Sequence, residues 1–256
     1  MTKQTVVLIA SPQGGSGKST IAVNMAIHCA KKDMKVLLID LAGYGSLPPM
    51  LKVPIKGKGM STLITAMEQS EYEFQLDRFI DYFREAVVPY SETSQLHLLL
   101  GSTPLKMEKL TLSNTNQLIE AAKRENYQLI IVDTSSELCE RNIACLEQAD
   151  LILIPTLQDI AAGWKLLQFR DILENLNIPR DRAGIVVNRC SKYAGFNNLE
   201  FQVEIGYELL GEIDDMPNKI QRFANIGVPA VNAGKSKASA PFRTLSSAVL
   251  KKVGYI

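Results

Sequence analysis

Short, wholly apolar runs alternate with longer stretches in which apolar residues recur every three or four positions. Runs of the first kind read as strands buried on both faces, and stretches of the second as amphipathic helices. The predicted strands are Thr5–Ala10, Lys35–Asp40, Leu96–Leu100, Gln128–Asp133, Leu151–Pro155, Gly184–Asn188 and a weaker one at Glu208–Ile213. The predicted helices are Lys18–Lys32, Met60–Gln69, Asp77–Glu85, Ser113–Glu125 with Ser113 as its N-cap, Glu137–Gln148, Ile160–Leu176, Leu199–Ile205, Pro217–Ile226 and Pro241–Val253. Between Leu41 and Val53, Gly43, Gly45, Pro48 and Pro49 punctuate what reads as a loop. Strands and helices in alternation, with no repeat and no long linker, argue for an α/β fold. The expectation is a single doubly wound, mostly parallel sheet with helices on both faces, residues 1–256 forming one domain. Ligands of such sheets bind beyond the carboxyl ends of the strands.

Composition adds boundaries. Of 256 residues, 46% are hydrophobic and 21% charged, which is ordinary for a globular protein with a sizeable core. A formal net charge of +1 favours no global attraction to nucleic acid. The four cysteines, Cys29, Cys139, Cys145 and Cys190, form no C-x-x-C pair, and only His28 and His97 could join them, so a zinc site is not expected. Cys29 and Cys145 fall inside apolar helical patterns, where buried thiols are usual. Reduced thiols, no leader-like N-terminal segment and no stretch of 18 apolar residues lead to the expectation of a cytoplasmic protein.

The chemistry concentrates after the first strand, in Ser11-Pro12-Gln13-Gly14-Gly15-Ser16-Gly17-Lys18-Ser19-Thr20. Glycines let successive backbone N–H groups curl around phosphate oxygens. The following helix turns its positive N-terminus to the same anion. Lys18 supplies a mobile cation for β- and γ-phosphates, and the Ser19 hydroxyl suits Mg²⁺. The spacing is a variant, G-G-x-G-K-[ST]-[ST]. The strict phosphate-loop pattern would need glycine where Pro12 stands. An ordinary glycine turn between strand and helix is the bland alternative. Two further strands end in aspartate, at Asp40 and Asp133. A carboxylate at a strand end beside the loop can hold Mg²⁺ through its water shell, while capping or turn formation is the simpler use of each.

The variant loop resembles the deviant Walker A motif of the ParA/MinD superfamily, usually K-G-G-x-G-K-[ST]-[ST]. The resemblance runs along nearly the whole chain and looks closest to the MinD-like and TadZ/CpaE-like pilus-localisation branches. It implies a P-loop fold, ATP and Mg²⁺ as cofactors, and a homodimer in the ATP-bound state. Gln13, Gly14, Gly15, Ser16, Gly17, Lys18, Ser19 and Thr20 would form the nucleotide loop, with Ser19, Asp40 and Asp133 at the metal and Lys18 and Asp40 in catalytic roles. Val187-Asn188-Arg189 resembles the family's base-recognising strand end, with Asn188 suited to adenine by its paired donor and acceptor. Asp215, in Ile213-Asp214-Asp215-Met216, aligns with a loop that closes over the base.

The chain departs from the pattern at several positions. Gln13 replaces the signature lysine that reaches the partner subunit's nucleotide. Ala42 stands where the family's second aspartate orients water. Asp133-Thr134-Ser135-Ser136 replaces D-x-P-P. The expectation is therefore a Mg·ATP-dependent switch or scaffold for spatial positioning of a cellular assembly, with weak hydrolysis and an unidentified protein partner or cargo, recruited through it to a pole, membrane or nucleoid. The alternatives are a competent partition or division-site ATPase, and a metabolic enzyme on the same scaffold. The last has no dedicated acid–base motif, although Asp159 and Trp164 open the long helix after Pro155. Lys235, Lys237, Arg243, Lys251 and Lys252 could serve nucleic acid, or be a solvated helix face. Phe242, Leu245, Val249, Val253 and Ile256 could meet a membrane, or pack the last helix on the sheet.

Overall fold

The computed structural model describes residues 3–54, 57–68, 76–195, 197–234 and 236–256. Gln69, the expected end of one helix, and Lys235, in the C-terminal basic group, lie outside them. The strands are β1 (Thr5–Ile9), β2 (Val36–Asp40), β3 (Val88–Pro89), β4 (Leu96–Leu99), β5 (Leu129–Asp133), β6 (Leu151–Leu157), β7 (Ala183–Cys190) and β8 (Glu208–Asp214). They form one eight-stranded sheet in the order β3-β4-β2-β5-β1-β6-β7-β8. Every pairing is parallel except the short edge pair of β3 with β4, which joins Val88 to Leu98 and Pro89 to His97.

The helices are α1 (Lys18–Ala30), α2 (Leu47–Leu51), α3 (Met60–Glu68), α4 (Leu76–Ala86), α5 (Pro104–Met107), α6 (Leu112–Arg124), α7 (Glu140–Gln148), α8 (Ile160–Asn175), α9 (Asn198–Ile205), α10 (Arg222–Asn225) and α11 (Ala240–Lys252). Strand residues alternate between two cores. Val6 and Leu8 of β1 join Phe79, Leu118, Cys145, Leu166 and Phe201 on one face. Val7 and Ile9 join Ile21, Met25, Leu47, Phe242 and Leu245 on the other. Because both faces are covered, the central strands are apolar throughout, and all five residues of β1, β2 and β5 are buried. The expected α/β sheet is the one observed.

Several local expectations need correction. The segment after β2 is not all loop: α2 starts on Leu47-Pro48-Pro49, where a first-turn proline loses no intrahelical bond. The helix expected from Glu137 begins at Glu140, and Pro217–Gln221 forms a π turn ahead of the short α10. The cap of α6 is Thr111, not Ser113. Its Oγ1 accepts from the Asn114 N–H at 3.2 Å, and Asn114 returns a bond to the Thr111 N–H. The period alone could not separate two hydroxyl residues two positions apart. In the last helix, Phe242, Leu245 and Val249 are buried in the second core; beyond its end, Val253 packs against that core and Ile256 is exposed.

Replacing Thr111 by alanine should therefore cost about 1 kcal/mol in chemical denaturation, the usual value of an N-cap, while Ser113→Ala should stay within about 0.5 kcal/mol. Equal losses would show that the cap is misassigned.

Candidate functional site

The centre of the sheet delivers three loops to one place. β1 lies between β5 and β6, and β2 lies on the far side of β5. The glycine loop leaves the end of β1 and turns into α1. Gly15 (φ 73°) and Gly17 (φ 97°) take left-handed conformations that a side chain would strain. Gly14 and Gly15 are exposed, and a Cβ built on either meets nothing within 4 Å. Gly17 is the N-cap of α1, with no side chain capping the helix, so its first-turn N–H groups face the open side of the loop.

Lys18 is buried within this loop. Its Nζ donates to the Gln13 carbonyl at 3.2 Å and to Ser136 Oγ at 2.7 Å. Burial holds its pKa below the usual lysine value, with the Asp133 charge acting in the opposite sense. Ser19 and Thr20 are half-buried in the first turn of α1, and Ser16 is buried.

Asp133 ends β5 and stands in register with Ile9 on one side and Asp40 on the other. Both aspartates have no exposed surface. Desolvation is the main cause that raises Asp133, to about 6. The Ser19 hydroxyl comes near enough to lower it somewhat, yet neither carboxylate oxygen has a well-formed hydrogen bond among the described residues. Asp40 is pushed up to about 8, first by burial and then by the charge of Asp133. Its Oδ1 accepts from the Ala42 N–H at 3.1 Å. Gly45 and Gly101 wall it in: a Cβ on Gly45 would lie 2.2 Å from Oδ2, and one on Gly101 3.2 Å from Cγ. Leu41 N–H donates to the Asp133 carbonyl at 2.8 Å, and Thr134 Oγ1 to the Ile9 carbonyl at 2.9 Å, locking the three strand ends together.

These groups suit a Mg²⁺–phosphate pair. The Asp133 oxygens have no well-formed hydrogen bond among the described residues and could take a cation, and open space lies over Gly14 and Gly15 for an anion. No group of three or more His, Cys, Asp or Glu side chains that could cage a metal occurs among the described residues. Mg²⁺ needs none, since it keeps several waters and takes one or two carboxylates beside substrate phosphates.

A second region lies two strands away, at the end of β7. Asn188, Arg189 and Asp215 line a cleft of about 360 Å³ with Gly17, Thr20, Pro217 and Phe242. Asn188 already uses part of its amide: Nδ2 donates to the Ser16 carbonyl at 2.8 Å, and Oδ1 accepts from the Arg189 N–H at 3.0 Å. It thus braces the glycine loop, and a Cβ on Gly17 would collide with it at 2.2 Å. Arg189 has φ 56°, unusual for a non-glycine residue. Asp215 is exposed, and its N–H donates to the Cys190 carbonyl at 3.0 Å. All the sequence-selected residues therefore fall on the glycine loop, the two carboxylate strand ends beside it, or this cleft.

Two further side chains take part, one in the segment that the sequence marks as a departure from D-x-P-P and one that the sequence reading missed. Ser136, where the family has proline, receives the Lys18 ammonium. Arg141 of α7 is 1% exposed and reaches the Asp40 loop. Its signal was a charge on the stripe shared with Ala144 and Cys145. Asp159 is the N-cap of α8, accepting from the Ala162 N–H at 2.7 Å, and Trp164 is exposed. None of the described helices is long and apolar enough to cross a membrane.

Comparison with known proteins agrees with this geometry. The septum site-determining protein MinD of Thermotoga maritima is 22% identical over 246 residues, covering 94% of this chain and 86% of that one. The chromosome-partitioning ATPase Soj of Thermus thermophilus is 26% identical over 204 residues, covering 77% and 73%. The septum site-determining protein MinD of Pyrococcus horikoshii, solved complexed with Mg-ADP, shares the fold at a TM-score of 0.80 with 19% identity, covering 98% of each chain. The AAA_31 family model, described as an AAA domain, matches residues 4–177. With the phosphate-loop strand order and these relatives, that match establishes that the chain belongs to the AAA_31 family, within the ParA/MinD superfamily of P-loop ATPases.

Proposed function

We propose that this chain binds Mg·ATP at residues 13–20 and acts as a nucleotide-dependent switch or scaffold for positioning a cellular assembly, with slow hydrolysis. The observation that carries the reading is the Asp133 carboxylate, buried without a partner of good geometry beside Ser19 and Lys18 at an open glycine loop. Residues 1–256 act in this reading as one domain. The N–H groups of the loop and of the first turn of α1 cradle the phosphates. Lys18 needs only to swing from Ser136 and the Gln13 carbonyl to reach β- and γ-oxygens. Ser19 and Asp133 hold Mg²⁺, with Asp40 behind them. The metal, when bound, neutralises charge developing on the phosphoryl oxygens. The cleft of Asn188, Arg189 and Asp215 takes the base, and its volume of about 360 Å³ admits a purine ring.

Slow turnover follows from two positions. Gln13 places a neutral amide where the family pattern has a cation. Ala42 offers no carboxylate to orient water, and its N–H is engaged with Asp40. Loss of one preorganised electrostatic group costs roughly 10²–10³ in rate. The names of the relatives, a septum-site protein and a chromosome-partitioning ATPase, support a positioning role. Switching would proceed through a homodimer formed with ATP and through a protein cargo.

Three outcomes are expected. Lys18→Ala should abolish Mg·ATP binding in calorimetry while leaving thermal stability close to the parent's, and unchanged affinity would overturn the site assignment. In single-turnover assays the parent should release phosphate slowly, and Ala42→Asp should accelerate release by roughly 10-fold or more if the missing carboxylate is limiting. Brisk release by the parent, abolished by Lys18→Ala, would contradict the slow-hydrolysis reading. The third concerns pH. An unfolded aspartate titrates near 3.9, whereas Asp133 and Asp40 are raised to about 6 and about 8 in the fold. Between those values the folded chain holds protons that the unfolded chain has released, so ligand-free stability should fall as pH rises from about 4 to 8 and then level off. Asp40→Asn should flatten that fall in denaturation curves, and an unchanged slope would count against the buried pair as its origin.

A further inference from the structure

The Asp40 loop and the segment after Asp133 meet a common cation, Arg141. Arg141, in the first turn of α7, is 1% exposed and is the largest fully buried side chain among the described residues. Its Nε donates to the Leu41 carbonyl at 3.3 Å, next to Asp40. Nη1 donates to Glu108 Oε1 at 2.8 Å and to the Met107 carbonyl at 3.5 Å, at the end of α5. Nη2 reaches Glu137 Oε2 at 3.5 Å, in the segment that follows Asp133, and Gly43 packs beside the same nitrogen. Asn142, the next residue, holds that segment too: Nδ2 donates to Ser135 Oγ at 2.9 Å and to the Glu137 carbonyl at 2.7 Å.

A guanidinium suits this task because its rigid fork of five donors can serve acceptors spread over several segments in fixed directions, whereas a lysine offers three donors from a single point. Burying the charge is costly unless every donor finds an acceptor. Moving either loop would therefore strip acceptors from a cation that water cannot reach. The Lys18 ammonium rests on Ser136, one residue before Glu137 and one after Ser135. A continuous set of contacts thus runs from the phosphate lysine through residues 135–137 to α7, and through Arg141 to Leu41 and Gly43.

We propose that Arg141 is a positioning residue that ties the loop after β2 to the loop after β5, so that a disturbance at one is felt at the other. The tie itself stands on the contacts above. Its use as a relay for the γ-phosphate rests on the nucleotide reading proposed for the site.

The tie is tested first without nucleotide, by amide hydrogen exchange on the full chain. Glu137→Gln is the informative variant, because Glu137 is exposed and its contact with Arg141 is on the Asp133 side. Exchange at residues 41–46 should rise by about 2- to 5-fold in Glu137→Gln, and by about 10-fold or more at both 41–46 and 134–137 in Arg141→Met, with the amides of β1 and β5 unchanged. Arg141→Lys, which retains charge without the fork, should restore little. In Arg141→Met, adding Glu137→Gln should have no further effect at 41–46. A merely structural role would instead raise exchange throughout α7 and the strands. That result, or a rise confined to 134–137 in Glu137→Gln, would overturn the proposal. The relay is then read in a Trp164→Phe chain carrying Tyr44→Trp, with Tyr44 88% exposed on the Asp40 loop. Emission should differ between Mg·ATP and Mg·ADP, and Arg141→Met should bind both yet lose the difference. If the parent binds no nucleotide, the proposed function fails while the exchange result still decides the tie. If Arg141→Met keeps the full difference, the relay fails alone.

Discussion

Two aspartates sit side by side, in register and out of reach of solvent, at the ends of β2 and β5. Burial raises both carboxyls, and the charge of Asp133 adds to the rise at Asp40. Such a pair is costly to keep in a parallel sheet whose neighbouring positions are all apolar. Its cost is offset when a cation arrives. The surroundings already anticipate one: Lys18 lies close enough for its charge to be felt by Asp133, Ser19 offers an oxygen, and the open glycine loop offers N–H groups to the anion that accompanies Mg²⁺.

The two carboxylates differ in how they are held. Asp133 is left bare apart from the nearby Ser19 hydroxyl, whereas Asp40 is boxed in by Gly45 and Gly101 and bonded to the Ala42 N–H. In the proposed function this difference would let Asp133 meet the metal shell and Asp40 report on its own loop. Asn188 links the cleft at the end of β7 to the glycine loop, since its amide donates to the Ser16 carbonyl. The phosphate loop is thus braced from β7 and from the loop after β5.

Much of this was legible from residue pattern. Apolar runs located the central strands, because strands covered on both faces can carry no polar alternation. The strand-end rule put Lys18, Asp40, Asp133 and Asn188 at the carboxyl ends of the strands. What escaped were features settled by tertiary contact. Pro48 and Pro49 looked like punctuation, yet a proline in a first helical turn is harmless, and α2 forms because Leu47 and Leu51 find the second core. β3 has two residues and exists only by pairing with β4. Thr111 outcompeted Ser113 as a cap through a reciprocal bond with Asn114. Ser136 lies in a segment legible only as a departure from D-x-P-P, and Arg141 carries no motif; their importance lies in distances to Lys18 and to the Leu41 carbonyl.

Family membership follows from the AAA_31 match and the fold, while the slow hydrolysis proposed for this chain rests on Gln13 and Ala42. A switch with a weakened hydrolytic arm should hold its ATP-bound state rather than cycle rapidly. Sedimentation velocity in Mg·ATP, in Mg·ADP and without nucleotide, with phosphate measured on the same sample, tests that claim most directly. The account predicts a dimer in Mg·ATP alone, with little phosphate formed during the run. Identical sedimentation in all three states, or an ATP-dependent dimer that releases phosphate rapidly, would contradict it.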